Sequence, residues 1–424
     1  MLPNAGVEIA LPKMTQIEQM FPKERIENIR QRVEQELARA QIAGKIKKGM
    51  KIAIGVGSRG IGELDTIVES LILVLKARGA EPFVVPAMGS HGGANAEGQR
   101  KLLATFNITE ERLGVPVVSS MEVEKVGSLP EGIELFFDKT ALSADGIIPV
   151  NRIKLHTGFH GDIQSGILKM MVIGFGNHRG ATSAHRYGVD RFSRLIPEAG
   201  QFLLSHTPVL FGFAIVENAF HKPARIEAIV VPDVPAREKE LLKEAIKMMP
   251  RIPFSRIDVL IVDESGKNIA GPGMDPNVTG RFAPNYLRCE PHVPEVTRLI
   301  VRNLTDESYG NAGAIGVADI VTRRLVDKID FEHTYVNIIT AGAPEAAKIP
   351  LTVDTDHEAL SIALKTCFRV DPPQARVVRI KNTLELDRIW ISEALVKEAR
   401  EKPNIRVLGE PREMTFDGGM NLAP

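Results

Sequence analysis

The sequence predicts an α/β protein built from two α/β domains with mostly parallel sheets. Three observations carry that reading. The runs KIAIGV (51–56), DGIIPV (145–150) and IDVLIVDE (257–264) are short and largely apolar, as strands covered on both faces are. Strand, turn, helix and strand follow one another in repeating order, which favours a parallel sheet. A chain of 424 residues is long enough for each of two domains to bury its own core.

The elements follow in order. Residues 22–43 (PKERIENIRQRVEQELARAQIA) place apolar residues at helical spacing in a charged background. The strand at 51–56 leads into a helix over 63–79 that ends at Gly79. EPFVVPA (81–87) is the next strand, and residues 95–105 the next helix. Residues 208–218 and 225–233 read as paired strands, followed by a charged helix to Met249. PRIPF (250–254) reads as a linker, so the domains are placed at 1–252 and 253–424. In the second domain further strands are expected at YVNIIT (335–340) and ARVVRI (375–380).

Composition narrows the function classes. Lys and Arg together number 53, as do Asp and Glu, so the formal net charge is zero. That balance gives no field for nucleic acid or an anionic membrane. No apolar run approaches a membrane span, and the N-terminus lacks the pattern of a signal peptide. Two cysteines, Cys289 and Cys367, are too few for a disulfide framework or a thiolate metal site. A cytoplasmic enzyme is the expectation.

Four stretches carry chemistry. GSRGIG (57–62) resembles a dinucleotide-binding turn, yet a short-chain dehydrogenase also needs Tyr-x-x-x-Lys. Four residues after Tyr187, Tyr286, Tyr309 and Tyr335 stand Arg191, Glu290, Gly313 and Ile339, so the pair is missing. In AMGSHGG (87–93), His91 follows a buried strand, at the carboxyl-end position where open parallel sheets bind ligands. In residues 151–186 four of the ten histidines gather, His156, His160, His178 and His185, with Lys154 and Lys169 among them. Lys169 lies in the apolar run ILKMMVIG, where desolvation would favour the neutral, nucleophilic amine unless the side chain snorkels to water. With few carboxylates and no cysteine nearby, a metal held here would need ligands from a cofactor. The fourth stretch, residues 262–281, offers Lys267 for an anionic substrate; Asp263, Asp275 and Arg281 serve equally well as loop-stabilising groups.

SRGIGELD, AMGSHGG, NRIKLHTGFHG with SGILKMMVIGFG, and SGKNIAGPGMDPNVTGR together resemble the nickel-pincer-dependent lactate racemase family, closest to a divergent branch acting on 2-hydroxy acids. The resemblance implies two α/β domains with the active site in the cleft between them. It implies a nickel pyridinium-3,5-bisthiocarboxylic acid mononucleotide, covalently joined to Lys169 through the spacing Ser165-Gly166-Ile167-Leu168-Lys169. Ser58 and Lys154 are placed at the cofactor with Lys169. His185 is the implied nickel ligand, with His178 as second choice. His91 and His156 are implied as the alternating acid and base, and Arg59 and Lys267 as carboxylate-binding cations. The implied partners are a small anionic hydroxy acid and the cofactor-synthesis proteins. The sequence departs from lactate racemase where Val56, Gly57 and Ser58 precede Arg59, and where Val172-Ile173-Gly174 replaces a Pro-Gly turn. A dehydrogenase using GSRGIG and a non-catalytic metabolite-binding protein are the other readings. Trp390 is assigned to the core.

Overall fold

The computed structural model describes residues 9–58, 60–283 and 293–423, so Arg59 and Cys289 lie outside the described residues. In chain order the strands are β1 (Met14–Gln19), β2 (Lys51–Val56), β3 (Glu81–Pro86), β4 (Val123–Ser128), β5 (Glu134–Asp138), β6 (Gly146–Arg152), β7 (Phe211–Glu217) and β8 (Pro223–Val230). They continue with β9 (Arg256–Val262), β10 (Glu295–Val301), β11 (Ile320–Thr322), β12 (Leu351–Val353), β13 (Val377–Ile380), β14 (Arg388–Ser392) and β15 (Ile405–Val407).

Two compact units emerge: Pro22–Met249, and Met1–Phe21 together with Pro250–Pro424. The division thus falls between Met249 and Pro250 rather than at 252/253. The first 21 residues group with the C-terminal unit because β1 pairs antiparallel with both β14 and β15.

The unit Pro22–Met249 is built on a five-stranded sheet of order β3-β2-β6-β7-β8, parallel up to β7 and antiparallel at β8. Successive side chains of a strand point to opposite faces, and the sheet obeys this. Ile52, Ile54 and Val56 enter one core with Val33, Leu71 and Leu103. Ala53, Val85 and Ile147 enter the other with Met171, Phe175, Leu203 and Leu241. Helices therefore cover both faces, which is why these strands read as apolar throughout. The helix predicted over 22–43 is confined to Ile29–Ala38 and Ala40–Ala43, starting where the Asn28 side chain accepts the Gln31 N–H. The antiparallel ribbon β4–β5 has no counterpart in the sequence reading.

The other unit carries an eight-stranded sheet of order β12-β11-β10-β9-β13-β14-β1-β15. It is parallel from β12 to β13 and antiparallel beyond. One correction concerns YVNIIT: residues Phe331–Ala341 form a helix, not a strand. Asp330 caps it by accepting the His333 N–H at 2.9 Å, and Gly342 ends it in the left-handed conformation. Within the helix Thr334 and Ile338 are buried at helical spacing, while Tyr335, Val336 and Ile339 are exposed. Local capping and this burial period outweigh the β-propensity of the segment. No helix among the described residues is long and apolar enough to cross a membrane.

Candidate active site

In the sheet of unit Pro22–Met249, β2 has β3 on one side and β6 on the other, which makes its carboxyl end the switch point where open α/β sheets bind ligands. Three loops leave the sheet there: residues 57–62 after β2, 87–93 after β3, and 153–166 after β6.

The first two loops are joined through Ser58 and His91. The Ser58 hydroxyl lies 2.5 Å from Nδ1 of His91, and His91 is exposed. The glycines set how closely the second loop approaches its neighbours. Gly89, with φ of +62°, donates its N–H to the Gly174 carbonyl at 3.0 Å, and a Cβ on Gly174 would stand 2.6 Å from the Ala87 carbonyl oxygen. Past Ser58 the turn is committed elsewhere. The Gly62 N–H donates to Oε1 of Glu217 at 2.5 Å, and Glu217 pairs through its other oxygen with Arg152. That amide, which a pyrophosphate would need, is taken by a carboxylate.

The third loop is closed at its base by backbone hydrogen bonds in both directions between Lys154 and Ser165, at 3.0 and 3.1 Å. Inside it, the His156 N–H donates to Oε1 of Gln164 at 2.7 Å, and Nδ1 of His156 accepts the Gly158 N–H at 2.9 Å. An Nδ1 that accepts places the proton of the neutral ring on Nε2. The His156 ring packs on Phe159 with centroids 4.4 Å apart. Phe159 in turn meets Phe192 edge-on, and Phe192 meets His185 edge-on. Two phenylalanines thus connect the two histidines.

Just past the base of the loop, Ile167–Lys169 forms a helical turn that widens into a π-helical segment, Met170–Gly174. The Phe175 N–H bonds the Met170 carbonyl, five residues back. Such widened turns occur disproportionately at functional sites. Here it occupies the position where a Pro-Gly turn was the point of comparison. Phe175 explains the segment's seat: a Cβ on Gly55 of β2 would come within 2.2 Å of its ring.

Lys169 is half-buried and its charge reaches His185. His185 ends the helix Asn177–His185, and its Nδ1 lies 2.7 Å from the Ala181 carbonyl. A carbonyl only accepts, so Nδ1 carries the proton and Nε2 keeps the lone pair. Burial holds the imidazole below its ordinary pKa, and the positive charge of Lys169 acts in the same direction. His178, at the other end of the helix, is exposed. The helix begins at Asn177, a fully buried residue with φ of +49°. Its amide donates to Asp138 at 2.8 Å and to the Ser120 carbonyl at 3.1 Å. Burial raises the Asp138 pKa.

Lys267 lies in the other unit, half-buried, its ammonium donating to the Gly271 carbonyl at 2.8 Å. Its neighbours in the motif stabilise loops. Asp263 pairs with Arg302 and Arg379, Asp275 caps the turn Pro276–Thr279, and Arg281 binds Asp319 and two carbonyls of β10. Trp390 is half-buried: it packs against the core of that unit, as assigned, and also lines a 360 Å³ cavity with Arg379 and Met14. The sequence reading missed Gln164, Phe159, Phe192, Asn177 and Asp138. Of these, only the aromatic residues near the histidines gave a signal that spacing could have raised.

No group of three or more His, Cys, Asp or Glu among the described residues is arranged to hold a metal. Near Lys169 the described residues present His185, an imidazole with Nε2 as its lone-pair nitrogen, and the amine whose charge it feels. That donor set fits a metal that arrives with its own ligands and fits no all-protein site.

The doubly wound sheet, with histidine loops leaving it after β3 and β6, defines an open-sheet α/β protein. Residues 6–192 match the family described as the lactate racemase N-terminal domain, and the resemblance drawn from the sequence is borne out over that segment. Among solved structures, the lactate racemase apoprotein from Thermoanaerobacterium thermosaccharolyticum is similar. Its TM-score is 0.50 at 14% identity, covering 88% of this chain and 99% of that one. A structural-genomics protein from Thermotoga maritima is similar over 67% of this chain and 71% of its own, with TM-score 0.48 and 15% identity. Likeness at such identities speaks to the fold alone. No curated protein sequence matches the chain.

Proposed function

We propose that this protein is a racemase or epimerase of a 2-hydroxy acid, or a related sugar acid, that uses a nickel-pincer mononucleotide. The observation that carries the proposal is His185, its Nδ1 fixed on the Ala181 carbonyl and its imidazole within reach of the Lys169 charge, inside the segment that matches the lactate racemase N-terminal domain. Lys169 would attach the nucleotide and the Nε2 lone pair of His185 would meet its nickel, with Ser58 and Lys154 as further contacts to it. When bound, that group supplies the acceptor and donor for the hydrogen at C2.

The chain's own part is the proton and the carboxylate. His91 and His156 alternate in removing the hydroxyl proton and returning it, which a reaction that inverts a centre in both directions requires. Ser58 stands at Nδ1 of His91, while the Gly158 N–H must release Nδ1 of His156 before that ring can take up a proton. A guanidinium such as that of Arg59 would suit the substrate carboxylate, through its paired N–H groups. The protein takes up a small anionic substrate and depends on the proteins that synthesise the nucleotide.

The test is a panel of chiral 2-hydroxy acids incubated with the loaded protein in D₂O. Inversion with no deuterium entering C2 supports internal return of the same hydrogen. Inversion with full exchange at C2 would replace this reading with proton abstraction from carbon.

A further inference from the structure

Glu238, on the helix Val234–Met248, is fully buried, with no basic side chain paired to it among the described residues. Its Oε2 accepts the Leu168 N–H at 3.1 Å, and the Ile167 N–H acts on the same carboxyl. These are the opening amides of the turn that bears Lys169, groups with no partner inside a helix. Its Oε1 is buried with no hydrogen-bond partner. A Cβ on Gly166 would stand 2.1 Å from that oxygen and 2.6 Å from the carboxyl carbon. The glycine of Ser165-Gly166-x-x-Lys169 is therefore the residue that makes room for this carboxyl. Opposite it, the Asn151 amide donates to the Gly166 carbonyl at 2.7 Å, gripping the same residue from β6.

Burying an acid with half its acceptors unmet costs stability that an apolar residue would avoid. Such a group is retained where geometry matters more than stability. We propose that Glu238 is a positioning residue for Lys169. Its carboxyl fixes where the turn begins and so where the amine is held. The π-helical segment shifts register directly after Lys169, so the turn is pinned from its start rather than from its end. This rests on the reading of Lys169 as the attachment point of the nucleotide.

The experiment uses full-length protein made without cofactor-synthesis proteins. Its lysines are acetylated at limiting acetic anhydride, and the labelling of Lys169 is read by peptide mass spectrometry relative to exposed Lys101. Glu238→Ala is expected to change that ratio about 2–10-fold, the equivalent of one lost hydrogen bond. Glu238→Gln, which keeps an acceptor oxygen and the volume, is expected to label as wild type. If Glu238→Ala fails to fold, Glu238→Asp withdraws the acceptor by one methylene and is expected to change the ratio likewise. A folded Ala or Asp variant that labels Lys169 as wild type does overturns the proposal. The assay needs no nickel, so it stands apart from the functional reading. Loaded, active protein with no added mass on Lys169 would remove the attachment role while leaving the labelling result in place.

Discussion

The Nδ1–H of His185 donates to the Ala181 carbonyl at 2.7 Å, one turn back along the same helix, and leaves Nε2 as the ring's lone pair. Metal-bound histidines are commonly held this way, the second nitrogen fixed by a backbone carbonyl. His185→Ala is expected to lower nickel retention beyond the ~10–100-fold that loss of an outer-shell partner costs. The lost edge contact with Phe192 costs about 1 kcal/mol, so the variant stays folded. His178→Ala, at an exposed position, is expected to keep its nickel. Metal analysis of the three proteins after gel filtration decides between the two histidines.

Ser58 and His91 form a hydrogen bond between two loops rather than within a core. Removing it by Ser58→Ala loosens the ring proposed to move the proton without opening a cavity. One such bond corresponds to about 0.5–1.5 kcal/mol, so the rate is expected to fall about 2–10-fold. Thermal stability is expected to change little. His91→Ala and His156→Ala each remove a proposed acid–base group and are expected to cost about 10²–10⁴-fold. Steady-state rates in both stereochemical directions, alongside melting curves, check this.

Glu238 gives stability a pH dependence of known sign. Burial pushes its carboxyl up to about 8, against an ordinary value of 4.5. Between those values the folded chain holds a proton that the unfolded chain has lost, so stability falls as pH rises through that window. The slope approaches about 1.4 kcal/mol per pH unit and vanishes above and below the window. Glu238→Gln cannot ionise, so the difference in stability between wild type and variant is expected to move in the variant's favour from pH 5 to pH 8. His185 works in the opposite direction, because its pKa is lowered and its neutral form is the folded one. Denaturant melts of both proteins across that range isolate the Glu238 contribution.

Gly55 is set by Phe175. A methyl group there would meet the ring at 2.2 Å, and the ring is itself buried and stacked on Phe137 with centroids 4.6 Å apart. Gly55→Ala is expected to destabilise by about 1–3 kcal/mol, as forced overpacking does. Gly44→Ala meets nothing closer than 3.5 Å and is expected to be near neutral. Differential scanning calorimetry of the two variants checks the contrast.

Much of the sheet around the site was legible, because strands buried on both faces declare themselves. KIAIGV is β2 as read, and the strands expected at 81–87 and 145–150 are β3 and β6 within two residues. The cluster of histidines and Lys169 was visible from composition alone. What supports it was not. Glu238 reaches Leu168 across 70 positions of sequence, and β1 pairs with strands near the other end of the chain. No local pattern encodes such partners. The strand expected at 335–340 failed for a different reason. Its Tyr, Val and Ile residues suit a strand, while the Asp330 cap and Gly342 terminus that make it a helix lie outside residues 335–340.

The most direct measurement is nickel content and racemisation in one preparation, made by co-expression with the nickel-pincer synthesis proteins. The account predicts stoichiometric nickel, inversion of a chiral 2-hydroxy acid in proportion to it, and loss of both in His185→Ala. Nickel-free protein that inverts the same substrate equally fast would contradict it.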